Sequence, residues 1–191
     1  MMKDNAFEVD LNDLGLSQIY LNRDKIDAIK DWFRVTEIDG YEPLPVYDFG
    51  DGKLTLTDGH SRAFVAYKFG IRKVRVQYDH DEIVTGIIGQ KLYRQALIWC
   101  RRFSVDSIGK LEDRIISSED YAFYWIERCS RSYNLIAKAS ERQFDSFSLK
   151  FRNLLLYGSN EDLTHLYYES LSGELWDYDI GKESLTIETE P

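Results

Sequence analysis

Cysteine and proline are scarce in this chain, with two and three residues respectively among 191. Cys100 and Cys129 stand 29 positions apart, outside any Cys-x-x-Cys pattern and without histidines at metal-ligand spacing. Neither a zinc site nor a disulfide framework is expected, and both residues read as buried thiols that pack like small hydrophobes. Long apolar runs are missing too. The longest nearly uncharged stretch, around Ile83 to Gln90, falls far short of the roughly 20 apolar residues a helix needs to cross a bilayer. No signal-peptide apolar run follows Met1-Met2-Lys3-Asp4-Asn5, so the expected address is cytoplasmic, with no membrane partner. Positive charge is in deficit: 24 Lys and Arg against 33 Asp and Glu give a net charge of −9. Such a chain repels a phosphate backbone at distance, which disfavours a protein that coats DNA. Internal repeats and low-complexity runs are absent as well.

What is there is enough to fold. Hydrophobic residues make up 43% and aromatics 14%, with only 12 glycines, which excludes a wholly disordered polymer. The length suits one compact body with appendages, and composition shifts place boundaries at residues 1–82, 83–140 and 141–191. Charge is uneven along the chain: residues 62–102 carry nine basic and three acidic side chains, whereas both flanking segments are strongly acidic. Arg72, Lys73 and Arg75 on the rim of a strand, with Lys91, Arg94, Arg101 and Arg102 on the wet side of a helix, account for this island as solvated faces. A small anionic ligand is the sharper alternative.

Apolar spacing predicts a helix over 22–33, with Ile26, Ile29, Trp32 and Phe33 on one face and Asn22 or Asp24 as its cap. Residues 43–48 and 53–57 read as an antiparallel hairpin around the turn Phe49-Gly50-Asp51-Gly52. A second helix over 61–69 follows, with Ala63, Phe64, Ala66 and Tyr67 inward and Gly70 as a left-handed C-terminal residue. A strand over 71–78 buries Val74 and Val76. Helices are then expected over 86–103, 107–116 and 118–139, and strands over 147–151, 163–168 and 175–178, the last two joined by a turn at 170–173.

Chemistry concentrates in Thr57-Asp58-Gly59-His60-Ser61-Arg62, between a strand and a helix. The first amides of a helix lack internal partners, its dipole is positive there, and glycine permits close backbone approach, so the junction suits a phosphate. Ser61 adds a hydroxyl, Arg62 a planar fork matched to phosphate oxygens, and His60 a donor that gains charge near neutral pH. The plainer alternative is a strand-to-helix turn, with Asp58 as cap, His60 as a hydrogen-bonded bystander and Arg62 paired to a surface acid. Four acidic residues near the hairpin, Asp39, Glu42, Asp48 and Asp51, form either a soluble edge or a contact to magnesium; no metal ligand set is assigned. Asp79-His80-Asp81-Glu82 reads as a solvated linker, because four consecutive residues do not converge on one ion. His165, Tyr124-Trp125, Tyr167-Tyr168 and Trp176 read as core or subunit contacts.

The order of elements, with Pro43-Leu-Pro-Val46, Leu54-Thr-Leu-Thr-Asp-Gly-His-Ser-Arg62, Ala63-Phe-Val-Ala-Tyr67, Gly70-Ile71 and Val74-Arg-Val76, resembles the ParB N-terminal/sulfiredoxin-like superfamily. The resemblance covers roughly residues 9 to 79. It implies an α+β fold: a mixed-sheet domain of that type, followed by a helical region and a small β-rich tail. In the superfamily a Gly-x-x-Arg loop grips nucleotide phosphates, and Gly59 and Arg62 occupy those positions. The loop is most similar to the Asp-Gly-His-His-Arg of free serine kinases, departing at Ser61. A sulfiredoxin carries its reactive cysteine where His60 stands, so sulfinic acid repair is not expected. ParB proteins add a helix-turn-helix reader, for which residues after 80 show no equivalent, and the kinases use a glutamate for which the segment 14–20 offers only Ser17 and Gln18.

The resemblance implies ATP, ADP or CTP, with Mg2+ accompanying the phosphates, held at Gly59, His60, Ser61 and Arg62. If phosphoryl transfer or nucleotide hydrolysis occurs, Asp58 is the candidate base and His60 the candidate acid. Binding without turnover, signalling through the C-terminal half to a protein partner or a second copy, is the alternative. A DNA-linked regulator is the third.

Overall fold

The computed structural model describes residues 6–130, 132–133, 154–159, 165–170, 175–179, 182 and 184–187. The chain is a mixed α+β protein. Strand β1 (Phe7–Asp10) and the two-residue β2 (Leu21–Asn22) lead into helix α1 (Arg23–Trp32) and a 3-10 segment (Val35–Gly40). Strands β3 (Leu44–Asp48) and β4 (Leu54–Leu56), helix α2 (His60–Lys68) and strand β5 (Lys73–Tyr78) complete the first unit. The expected order of helix, hairpin, helix and strand is therefore observed, with β1 and β2 added before it.

Four of these strands form one sheet in the order β1-β5-β3-β4. β5 lies parallel to β3, whereas β1 against β5 and β3 against β4 are antiparallel. Alternation explains the faces: Leu44 and Val46 on β3, Leu56 on β4, and Val74 and Val76 on β5 are buried. They join Ile26, Ile29 and Phe33 of α1 and Ala63, Phe64 and Ala66 of α2 in a single core. The outer side of β4 is covered by Gly15, whose N–H donates to the Leu54 carbonyl and whose carbonyl accepts from the Leu56 N–H. Only a glycine fits there, since an added Cβ would lie 2.5 Å from Thr55 Oγ1.

Two side chains depart from the expected inward set. Trp32 is 47% exposed and packs edge-on against Tyr41, and Tyr67 is 37% exposed. Gly70 takes the left-handed conformation expected at the end of α2.

Beyond the sheet, α3 (Glu82–Thr85) starts inside the expected linker and α4 (Ile87–Arg102) matches the helix expected over 86–103. The helix expected over 107–116 is corrected: Ile108–Arg114 is a 3-10 segment that ends in β6 (Ile115–Ile116), paired in parallel with β2. Helix α5 (Ser118–Tyr121) is capped by Ser117 and passes into a π-helical stretch (Ala122–Glu127). Strands β7 (Leu154–Ser159), β8 (His165–Ser170), β9 (Leu175–Asp179) and β10 (Ser184–Ile187) form an antiparallel sheet of their own. The expected β8–β9 pair is present, and β7 and β10 extend it. The strand expected over 147–151 and the helix beyond residue 133 lie outside the described residues. Among the described residues, no helix is long and apolar enough to cross a membrane.

Asn22 carries out the capping expected of it. Its Oδ1 accepts from the Lys25 N–H at 3.1 Å and from the Ser118 hydroxyl at 3.0 Å, tying α1 to α5. Asn22→Ala is expected to lower stability by about 1 kcal/mol, read as a lower urea midpoint, and Asn22→Ser to recover most of it.

Candidate functional site

The turn between β4 and α2 is fixed from three sides. The Thr57 N–H donates to the Pro45 carbonyl at 3.1 Å, its hydroxyl donates to Asp79 Oδ2 at 2.5 Å, and its carbonyl accepts from the Tyr93 hydroxyl at 3.1 Å. Asp79 is thus drawn out of the supposed linker into the base of the turn. Gly59 follows with φ of 77°, in the left-handed region where any other residue is strained. A Cβ there would lie 2.7 Å from Leu44 Cδ2 and 3.4 Å from an Arg62 guanidinium nitrogen. Backbone and guanidinium are therefore in close approach.

α2 begins at His60 and has no side-chain cap. The expectation that Asp58 caps it is corrected: Asp58 is exposed, and Gly59 occupies the N-cap position. The Ala63 N–H closes the first turn on the Gly59 carbonyl, and the amides of His60, Ser61 and Arg62 have no protein acceptor among the described residues. Three aligned N–H groups at the positive end of a helix dipole form an anion-attracting corner.

His60 points into the protein. Its Nε2 accepts from the Ser17 N–H at 3.2 Å, and Ser17 Oγ, 3.5 Å away, donates its own proton to the Leu56 carbonyl at 2.6 Å. A ring whose Nε2 accepts an amide proton carries its hydrogen on Nδ1, and that atom is buried with no partner among the described residues. Burial lowers the His60 pKa from 6.5 to about 4, with the Asp58 charge opposing the shift and Lys25 reinforcing it. The expectation that His60 gains charge near neutral pH is corrected on this ground: it is a neutral ring holding the 15–19 segment against α2.

Ser61 is buried beside it, and its hydroxyl makes no hydrogen bond among the described residues. Arg62 is half-buried. Desolvation lowers its pKa, with Glu42 and Asp58 opposing, yet a guanidinium stays charged. Its Nη1 donates to the Glu42 carbonyl at 2.9 Å, and no carboxylate pairs with it among the described residues. The side chain lines a small cleft of about 20 Å³, room for one water, between the end of α1, the 35–42 segment, α2 and β5.

Other sequence candidates fall elsewhere. Asp48 and Asp51 accept backbone amides inside the hairpin turn, while Asp39 and Glu42 offer their carbonyls to Arg75 and Arg62. The four acids do not converge, and no group of metal-ligating side chains is present among the described residues. Of the basic island, Arg62 and Arg75 reach the cleft, whereas Arg94, Arg101 and Arg102 are exposed on α4. Cys100 is buried and Cys129 half-buried, and desolvation pushes their thiols up to about 12 and about 11. The side chains of His165, Tyr167 and Tyr168 lie outside the described residues. Ser17, Tyr41 and Glu42 matter to the site without any local motif that marks them.

No family model and no curated protein matches the chain. Among solved structures, protein Atu1540 from Agrobacterium tumefaciens is similar at 16% identity and a TM-score of 0.38, covering 65% of this chain and 68% of that one. So loose a likeness transfers neither fold type nor activity.

The neutral His60 gives a pH signature. The unfolded ring takes up a proton near pH 6.5 and the folded ring only near 4, so the unfolded chain binds more protons between these values. Stability from this group is full above pH 6.5 and falls as the pH drops toward 4. Relative to His60→Gln, the native chain is expected to lose about 2 kcal/mol between about pH 7.5 and about pH 5 in urea unfolding. Equal slopes for the two proteins would rule out a buried neutral imidazole.

Proposed function

We propose that this chain is a nucleotide- or phosphate-binding protein built on a ParB/sulfiredoxin-like domain, with the phosphates of ATP, ADP or CTP resting at Gly59–Arg62. The observation that carries the reading is a half-buried guanidinium with no carboxylate partner among the described residues, next to three helix amides without acceptors. A half-buried cation without a direct ion-pair partner among the described residues and a positive helix end both gain from a ligand with several anionic oxygens. Phosphate oxygens there would meet the amides of residues 60–62, the Ser61 hydroxyl and Arg62. Mg2+, if it accompanies the nucleotide, would neutralise phosphate charge; among the described residues no cluster of metal-ligating side chains is present to hold it.

A second reading, phosphoryl transfer or nucleotide hydrolysis, draws on Asp58. Its carboxylate is not used as a cap and stands exposed beside the corner, where it can take a proton from an acceptor hydroxyl or water. His60 is turned inward, so Asp58 is the side chain this reading assigns to that step. DNA has less support, since the exposed arginines of α4 are separate from the cleft and the chain carries a net charge of −9.

Arg62→Ala is expected to weaken nucleotide binding about tenfold or more in calorimetric titration, as loss of a charge-assisted contact implies. An unchanged isotherm would overturn the reading. Asp58→Asn separates the two functions: binding persists in both cases, and release of inorganic phosphate falls only if the chain turns its ligand over.

A further inference from the structure

We propose that the outer edge of β1 is a strand-docking site for a partner protein, whose extended segment of alternating basic and apolar residues adds antiparallel to the main sheet. Among the described residues β1 is paired on one side only, by β5. The site is independent of the Gly59–Arg62 corner, which follows β4 at the opposite margin of the sheet.

The direction of the main-chain groups carries it. In an antiparallel pair, alternate residues exchange both backbone hydrogen bonds with the neighbouring strand, and the residues between them aim theirs away from it. The Leu11 N–H donates to the Arg72 carbonyl at 2.7 Å, continuing the register that sets Val9 opposite Val74 and Phe7 opposite Val76. These odd positions therefore direct their amides and carbonyls to β5, and Glu8 and Asp10 point theirs outward. The Asp10 carbonyl accepts from the Asp13 N–H at 3.0 Å. Both main-chain groups of the exposed Glu8 and the N–H of Asp10 then have no partner among the described residues. Such a row is a template for an added strand, whose own backbone supplies the matching groups.

Side-chain alternation then selects the occupant. The strand that already lies beside β1 sets Arg75 opposite Glu8 and Lys73 opposite Asp10, and Val74 and Val76 opposite Val9 and Phe7. A strand on the other side meets the same two faces. One carries the carboxylates of Glu8 and Asp10; the other carries Phe7 and Val9, which pack against the core and are only partly buried. Directly opposite residues of unlike charge stabilise a strand pair, and like charges destabilise it. Basic residues across from the acids, alternating with aliphatic residues across from Phe7 and Val9, therefore satisfy both faces. A second copy of β1 does not, because every antiparallel register that matches the faces sets Glu8 against Glu8 or Asp10. The partner is thus a different, basic chain, which a net charge of −9 also draws in.

The test uses the full chain and two fluorescein-labelled peptides read by anisotropy: acetyl-Lys-Val-Arg-Val-Lys-Val-amide, and the same sequence N-methylated throughout its backbone. The second keeps every charge and side chain but has no N–H to give to a sheet. Wild type is expected to bind the first at least about fivefold more tightly than the second. Glu8→Gln, which removes one exposed charge, should weaken the unmethylated peptide about twofold to threefold. Glu8→Pro should weaken it about tenfold, because proline lacks the outward N–H and its ring obstructs the edge, while the bonds of Phe7 and Val9 to β5 stay in place. On wild type, the Glu8 and Asp10 amides should exchange more slowly with solvent once the peptide is bound. If Glu8→Pro unfolds the chain, the N-methyl comparison and the exchange measurement, both made on wild type, decide the matter. Equal affinity for the two peptides, equal affinity of the Gln and Pro variants, or unchanged exchange at Glu8 and Asp10 reduces the contact to attraction by net charge and overturns the docking site, as does failure of both peptides to bind.

Discussion

The first turn of α2 is gripped from within by a neutral imidazole. His60 accepts the Ser17 amide proton, and the Ser17 hydroxyl in turn reaches the Leu56 carbonyl, so one buried relay joins the 15–19 segment, the end of β4 and the start of the helix. With His60 turned inward, the helix presents its bare amides and Arg62 on the other side. Gly59 sets the same orientation from the backbone, because only its left-handed conformation swings the chain from strand to helix with Leu44 and the guanidinium so near. The corner is a by-product of how the interior is tied together.

Much of the architecture could be read from periodicity. The i, i+3 apolar spacing of Ile26 and Ile29, the alternation of Val74 and Val76, and the Gly-rich hairpin turn are local patterns, and each produced the expected element. What escaped depends on distant partners. β1 has no apolar run to mark it and exists because Phe7 to Asp10 pair with residues 73–76 of β5, about 65 positions away. β6 is two residues long and is defined by its parallel contact with β2, directly after the 3-10 segment Ile108–Arg114. Trp32 looks like a core residue by spacing, yet it stands at the rim because α1 ends there and the chain turns away.

The loop was legible and the orientation of its members was not. Asp-Gly-His-Ser-Arg marks a strand-to-helix junction in any reading, but the helix begins one residue earlier than expected, at His60. That places the imidazole at the first helical position, facing Ser17, and removes both its charge near neutral pH and any capping role for Asp58. Ser17 stands 43 residues away in sequence, so no local pattern marks the contact. The cleft escaped for a similar reason, since Phe33, Tyr41, Ala66 and Val74 come from four separate elements.

The two ends of the main sheet differ in a way that bears on self-association. At the β4 margin, Gly15 already occupies both the carbonyl of Leu54 and the amide of Leu56, and its missing side chain lets the covering strand lie flat on Thr55. A second polypeptide cannot add there without first peeling that segment away, and the Ser17–His60 bond with it. Any edge-to-edge pairing of copies is thereby directed to the opposite margin at β1, whose alternating Glu8 and Asp10 place acidic side chains against an incoming strand.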